Sequence, residues 1–112
     1  MTQPNHTSPF RPADFAAYDS DRMGKATLFQ SERLLVGLNS FEPGHEHDLH
    51  AHEGMDKVYL VLAGRGLFLL EGREEAMTEG VMLVAPSGVP HGIRNTGGGR
   101  LLVLAVLAPS PG

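Results

Sequence analysis

Short apolar runs alternate with turns rich in glycine and proline along most of this chain of 112 residues. Short strands punctuated in this way are typical of all-β sandwiches and barrels. Only residues 15–25 and 73–77 have a pattern compatible with a helical turn. The predicted strands, by residue number, are 26–30, 34–41, 49–52, 58–62, 66–71, 81–85, 91–95 and 101–107.

The first 22 residues differ from the rest, because they are polar and contain three prolines. They predict an N-terminal arm, residues 1–22, followed by one β domain, residues 23–112. Phe10, Phe15 and Tyr18 could dock the arm on that domain. At this length the chain can bury one core but not two.

Several predicted strands do not alternate apolar and polar residues, notably 58–62, 67–70 and 101–107. A strand with one wet face should alternate, so these strands would leave apolar side chains on the outside of a small barrel. A second copy of the chain is the simplest cover for that surface, as a two-fold homodimer. The alternative is that the N-terminal arm covers it alone.

The composition limits the classes of partner and the side chains available to bind a metal. The formal net charge of −4 argues against general nucleic-acid binding, and the absence of cysteine confines any metal to nitrogen or oxygen ligands. The longest apolar run, 101–109, is about half of a membrane span, so no membrane partner is expected. With no secretory leader expected at the N-terminus, a cytoplasmic location is the default expectation.

Four of the six histidines fall between residues 44 and 52. Side chains two apart on a strand share a face, so His50 and His52 could bind one metal together. His45 and His47 have the same spacing but follow Pro43, and they are interpreted as part of a solvated turn. A His-x-His pair alone is a weak signal, because polar surface strands often contain one.

A second segment strengthens the prediction, because both segments resemble the two sequence motifs of the cupin superfamily. In the first motif, Gly44, His50, His52 and Gly64 stand at the matching positions. The second motif is matched at Gly80, Pro86, Gly88, His91 and Asn95. The resemblance covers roughly residues 26–107 and implies a single-domain, cupin-type jelly-roll β-barrel.

The resemblance also implies a site and a range of functions. His50, His52 and His91 would hold a divalent transition metal, one of Zn, Fe, Mn, Ni or Cu, next to a small-molecule ligand. One hypothesis is a metal-dependent enzyme of the dioxygenase, isomerase or lyase type. The alternative is a non-catalytic module that senses or sequesters a small ligand, with or without metal, and a third is a structural metal site.

One motif position departs from the family, because Lys57 stands where the cupin motif has a glutamate ligand. A lysine cation about 5 Å from a divalent ion would be repelled by roughly 6–7 kcal/mol at an effective dielectric near 20. Either Lys57 points away, or it is neutral, or no metal binds. A bulge at the start of the strand could aim Asp56 inward as a substitute ligand; otherwise Asp56 and Lys57 form a solvated pair.

Residues that share the predicted inward face are candidates for the substrate pocket. The alternative for each of them is ordinary core packing. The candidates are Tyr59, Val61, Phe68 and Met82.

Overall fold

The computed structural model describes residues 3–4 and 6–111. Within these residues the chain forms nine strands and one short 3-10 helix, Pro12–Phe15, and it has no helix long and apolar enough to cross a membrane. The strands are β1 Gly24–Gln30, β2 Leu35–Phe41, β3 Glu46–His50, β4 Asp56–Ala63, β5 Arg65–Leu70, β6 Arg73–Thr78, β7 Met82–Ala85, β8 His91–Arg94 and β9 Leu101–Ala108.

The strands form two antiparallel sheets. The five-stranded sheet has the order β1-β2-β9-β4-β7, and the four-stranded sheet has the order β3-β8-β5-β6. Strands that are neighbours in a sheet are often distant in the chain, as in β2 beside β9 and β3 beside β8. This all-β, jelly-roll arrangement confirms the predicted fold class.

Period-two alternation explains the core between the sheets. In β4, Lys57, Tyr59 and Val61 are buried while Val58 and Leu60 are only partly so. The β9 register continues this inner face, and β5, β6 and β8 close it from the other sheet. The main core cluster consists of Phe41, Tyr59, Val61, Phe68, Met77, Ile93, Leu101, Val103, Ala105 and Leu107.

Two elements differ from the sequence prediction. Residues 73–78 form strand β6 and not a helical turn, although only Met77 in it is buried. The first histidine-bearing strand spans residues 46–50, so His52 lies beyond its end. In both cases strand pairing in the four-stranded sheet decides the structure where the local apolar pattern is weak.

The arm packs on the outside of the five-stranded sheet. Phe15 and the two alanines that follow it contact a second apolar cluster on β1, β2 and β9. The backbone N–H of Ala17 donates to Ser40 Oγ at 3.3 Å, and the guanidinium of Arg100 lies 4.2 Å from the centre of the Tyr18 ring. These contacts bring the arm to the β1–β2 side of the sheet.

Two cross-strand rows of apolar side chains continue along the same outer surface. We call these two rows the outer apolar patch. Their last members, on edge strand β7, are 58% exposed at Met82 and 55% exposed at Val84. The rows are Val36, Val106, Val58 and Val84, and Leu38, Leu104, Leu60 and Met82.

Candidate functional site

The histidine-bearing strand β3 contains a bulge. His47 pairs with Ile93, but the next aligned pair is His50 with His91. Three residue steps on β3 therefore match two steps on β8, which is the signature of one inserted residue. Because of that extra residue, His47 and His50 both line one cavity despite their odd spacing.

Gly92 on β8 makes room for this bulge. A Cβ atom at residue 92 would lie 2.6 Å from the carbonyl oxygen of His47 and 2.9 Å from the backbone nitrogen of Leu49. Backbone atoms that close to a side chain would have to move. A glycine on the neighbouring strand thus permits the backbone path that carries the histidines.

The three predicted ligand rings converge. The His50 ring centroid lies 4.8 Å from that of His52 and 4.4 Å from that of His91, and the His52–His91 separation is 6.1 Å. Two imidazoles that share one ion at about 2.0–2.1 Å have centroids roughly 4.5–5.5 Å apart. His50 is therefore well placed relative to both partners, whereas His52 and His91 stand somewhat too far apart.

Hydrogen bonds hold two of these rings in one tautomer. His50 Nδ1 donates to the carbonyl of Asp48 at 2.7 Å, and His91 Nδ1 donates to the carbonyl of Val89 at 2.9 Å. The other nitrogen of each ring, Nε2, is buried and has no hydrogen-bond partner. An imidazole that donates one N–H to the backbone and keeps a free lone pair on the other nitrogen is in the usual state of a metal ligand.

Burial disfavours the charged form of His47, His52 and His91. Desolvation lowers the pKa of His47 to about 4, with a smaller contribution from the charge of His50. Desolvation also lowers the pKa of His52 and His91 below the ordinary value. Neutral imidazoles bind divalent transition metals, so the donor set fits such an ion chemically.

The rings are not a complete ligand set as they stand. Within the described ranges, no group of three or more histidine, aspartate or glutamate side chains is arranged to hold a metal ion. The widest separation involves His52, which lies after the end of β3. Movement of that ring toward His91 would bring the three together.

A cavity of about 290 Å³ lies between the sheets beside these rings. His91 is not part of its lining, although its ring centroid lies 4.4 Å from that of His50. The lining includes residues from β1, β2, β4 and β9 of the five-stranded sheet and from the histidine segment. The residues are Lys25, Ala26, Thr27, Leu35, Gly37, Leu38, Asn39, His47, His50, His52, Lys57, Ala105, Leu107 and Pro111.

Lys57 points into the protein, which answers one of the alternatives left open by the sequence. It is 6% exposed, and its Nζ lies 5.0 Å from the centre of the Tyr59 ring. Burial, and then the charge of Lys25, lower its pKa to about 8, so it is mostly protonated at pH 7. Lys57 does not point away from the cavity.

Asp56 does not take the inward position, because the bulge expected at the start of β4 is absent. The register with β9 is continuous from Asp56 to Val61. Asp56 is exposed, and its Oδ1 accepts a hydrogen bond from the backbone N–H of Ser87 at 2.9 Å. The carboxylate thereby anchors the turn before β8 and does not line the cavity.

None of the four predicted pocket residues, Tyr59, Val61, Phe68 and Met82, lines this cavity. Val61 and Phe68 are enclosed in the core at 1% and 2% exposure. Met82 faces outward because it pairs with Leu60 on the outer side of β4. Tyr59 is buried next to His91, with 5.7 Å between ring centroids, and its hydroxyl has no hydrogen-bond partner.

Asn95 closes the segment that leads from β8 to β9. Its Nδ2 donates to the carbonyls of Phe41 at 3.1 Å and Gly99 at 2.9 Å, and its Oδ1 accepts from the backbone N–H of Gly97 at 3.0 Å. The side chain is 2% exposed. These bonds give Asn95 a structural role at the end of the strand that carries His91.

The assignment of His47 to a solvated turn was wrong, because His47 lies in strand β3 and lines the cavity. Its ring centroid lies 4.3 Å from that of His50, and its Nδ1 is buried without a partner. Strand parity places residues 47 and 50 on opposite faces, so the bulge is what brings His47 inward. The sequence contained no signal for the position of that bulge.

Comparisons with known proteins agree with this architecture. The family model for the cupin domain matches residues 37–107. An oxalate-binding protein of Thermotoga maritima is 33% identical over 85 residues, which cover 76% of this chain and 69% of that protein.

Two solved structures are similar over nearly the whole chain. The protein TT1209 of Thermus thermophilus is 38% identical, with a TM-score of 0.87, over 92% of this chain and 98% of that one. A predicted oxalate decarboxylase of Thermotoga maritima is 26% identical, with a TM-score of 0.79, over 91% of this chain and 99% of that one. With a family model that spans well over half of its residues and both sheets in place, the chain belongs to the cupin family.

Proposed function

We propose that this cupin binds a small organic molecule in the cavity between its sheets, next to a divalent transition metal held by His50, His52 and His91. The observation that carries the proposal is the pair of buried, unpartnered Nε2 atoms whose rings are fixed through Nδ1. Leaving buried polar atoms unpaired is costly, so a site retained in this state favours a ligand for them. The relative named as oxalate-binding supports a small-molecule role.

Each part of the chain has a stated task in this proposal. The carbonyls of Asp48 and Val89 orient the His50 and His91 rings, and the cavity beside them admits a small ligand. When bound, a divalent metal polarises a ligand oxygen and makes a coordinated water more acidic. Asp56, whose carboxylate is bonded to the backbone N–H of Ser87, would enter the ligand set only by leaving that bond.

An enzyme of the dioxygenase, isomerase or lyase type is one form of this function. The second candidate is a non-catalytic module that senses or sequesters its ligand. It is favoured by the relative whose name states oxalate binding and no reaction. Turnover of a bound compound would establish the first form, and saturable binding without turnover would establish the second.

Metal analysis of protein purified without a polyhistidine tag tests the site. We expect about one ion per chain in the wild type, and almost none in His91→Ala, since three ligands converge on it. His6→Ala is the matched control, because that ring is exposed on the arm and bonds to the Leu28 carbonyl. Metal retained in His91→Ala, or absent from wild type grown with added Zn, Fe, Mn, Ni and Cu, would contradict the metal site.

The outer apolar patch is the surface we propose for a homodimer. Its two rows contain no charged residue, and Met82 and Val84 at the β7 edge are more than half exposed and lie outside the cluster that the arm contacts. A two-fold interface uses the same patch on both subunits, so a second copy of the chain is the occupant we propose. Stable interfaces bury roughly 800 Å² per partner, which would extend the contact beyond the two rows.

A further inference from the structure

Both lysines of the chain line one cavity. The sequence contains Lys25 and Lys57 and no other lysine, and the two side chains face the same space between the sheets. The lining includes three imidazoles, an amide and a threonine hydroxyl as well, but no aspartate and no glutamate. A cavity with cations and hydrogen-bond donors and no carboxylate is electrostatically suited to an anion.

Lys57 is buried without an opposite charge. It is 6% exposed, and within the described residues no carboxylate forms an ion pair with it. Its Nζ atom lies 5.0 Å from the centre of the Tyr59 ring. Burying an ammonium group costs free energy unless it is paired, so the protein is expected to retain this lysine for a ligand and not for folding.

The acidic side chains nearest to Lys57 in the sequence do not line the cavity. Asp56 is next to Lys57 in the strand but exposed, and it accepts a hydrogen bond from the backbone of Ser87. The carboxylate of Glu53 lies against Gly88, where a Cβ atom would be 3.0 Å from Glu53 Oε1. Neither carboxylate lines the cavity that Lys57 faces.

A second buried polar group lines the same cavity. Asn39 is 7% exposed, and no hydrogen bond of its side-chain amide occurs among the described residues. Asn39 pairs with Lys25 on the neighbouring strand, while Lys57 lies two strands away beyond β9. The amide and the two ammonium groups thus approach the cavity from one sheet, and the histidines approach it from the other.

We propose that Lys57 and Asn39, with Lys25 at the exposed side, bind the carboxylate of a small organic acid whose other end faces the histidine cluster. This inference rests on the proposed function for the cavity and names its ligand class. Lys57, which stands where the cupin motif has an acidic metal ligand, would then bind an anion. Lys57 would be the residue that selects charged ligands over neutral ones.

Calorimetric titration of the full-length protein tests this assignment, with malonate as the probe and neutral malonamide as its uncharged counterpart. Wild type should bind malonate and not malonamide. Lys57→Met should weaken malonate binding at least roughly tenfold, the scale of one charge-assisted hydrogen bond. Arg73→Met is the matched control for loss of an exposed cation, since Arg73 pairs with Glu75 on β6, and it should bind as wild type does.

The remaining arms separate this inference from the metal proposal. Malonate binding that survives chelator treatment but is lost in Lys57→Met would support the lysine receptor even if the metal site fails. Equal binding by wild type and Lys57→Met, with normal metal content, would overturn the inference and leave the metal site standing. The inference would also be overturned if the wild-type protein bound none of the linear dicarboxylates with two to four carbon atoms. Asn39→Ala should weaken binding in the same direction and provides a second variant should Lys57→Met not fold.

Discussion

Replacing Lys57 with methionine should make the protein more stable. The ammonium group is buried, and its pKa is lowered from 10.5 to about 8, chiefly by desolvation. At pH 7 the lysine is protonated in both states, so the difference between 10.5 and about 8 corresponds to roughly 3 kcal/mol of lost folding free energy. Methionine keeps the apolar stem and removes the charge. We therefore expect Lys57→Met to gain about 2–3 kcal/mol in the free energy of unfolding and roughly 10 °C in Tm.

Urea unfolding followed by circular dichroism, on chelator-treated and dialysed protein, measures this gain. The sign of the pH dependence is a second check. The folded protein releases the Lys57 proton at lower pH than the unfolded chain, so wild-type stability rises between pH 8 and 10.5. The difference in the free energy of unfolding between Lys57→Met and wild type should therefore become smaller from pH 8 to 10.5. Lys57→Met that is less stable than wild type, or a gap independent of pH, would refute the reasoning.

Three further outcomes are expected. Asn95→Ala should lower the free energy of unfolding by about 2–3 kcal/mol, because it removes one buried and two partly buried hydrogen bonds, and urea titration would show it. Chelator-treated protein should lose stability as pH falls from 6.5 toward 4. Burial lowers the pKa of His47 to about 4 and also lowers the pKa values of His52 and His91, so unfolding takes up protons in this range. A Tm that does not change over this range would contradict the prediction. Leu60→Glu in the outer apolar patch should convert a dimer to a monomer in light scattering, and a wild-type monomer would end the dimer proposal.

The fold was predictable because its strands carry their own signals. Apolar runs between turn residues located most of the strands, and the two-residue period of a strand placed Tyr59 and Val61 on the inner face of β4, where both are buried. β6 was missed for a physical reason. It lies at the edge of its sheet with one buried residue, so pairing with β5 forms it without an apolar pattern.

The candidate site was predictable in part. The resemblance to the cupin motifs implied that His50, His52 and His91 lie together, and their ring centroids lie within 6.1 Å of one another. The inward position of His47 could not be derived, because a bulge reverses strand parity and leaves no mark in the residue pattern. The sequence identified Lys57 as unusual, but only packing shows that it is buried and unpaired.

The path of β3 over Gly92 has a consequence for any attempt to redesign this protein. A methyl group at residue 92 would press on the main chain between His47 and Leu49, so the imidazoles would be displaced without any of them being altered. Mutagenesis restricted to the histidines would miss this effect of residue 92 on the position of their rings. The orientation of the histidine rings depends on the glycine at residue 92 of the adjacent strand. A mutant library that exchanges the histidines should therefore keep Gly92 unchanged.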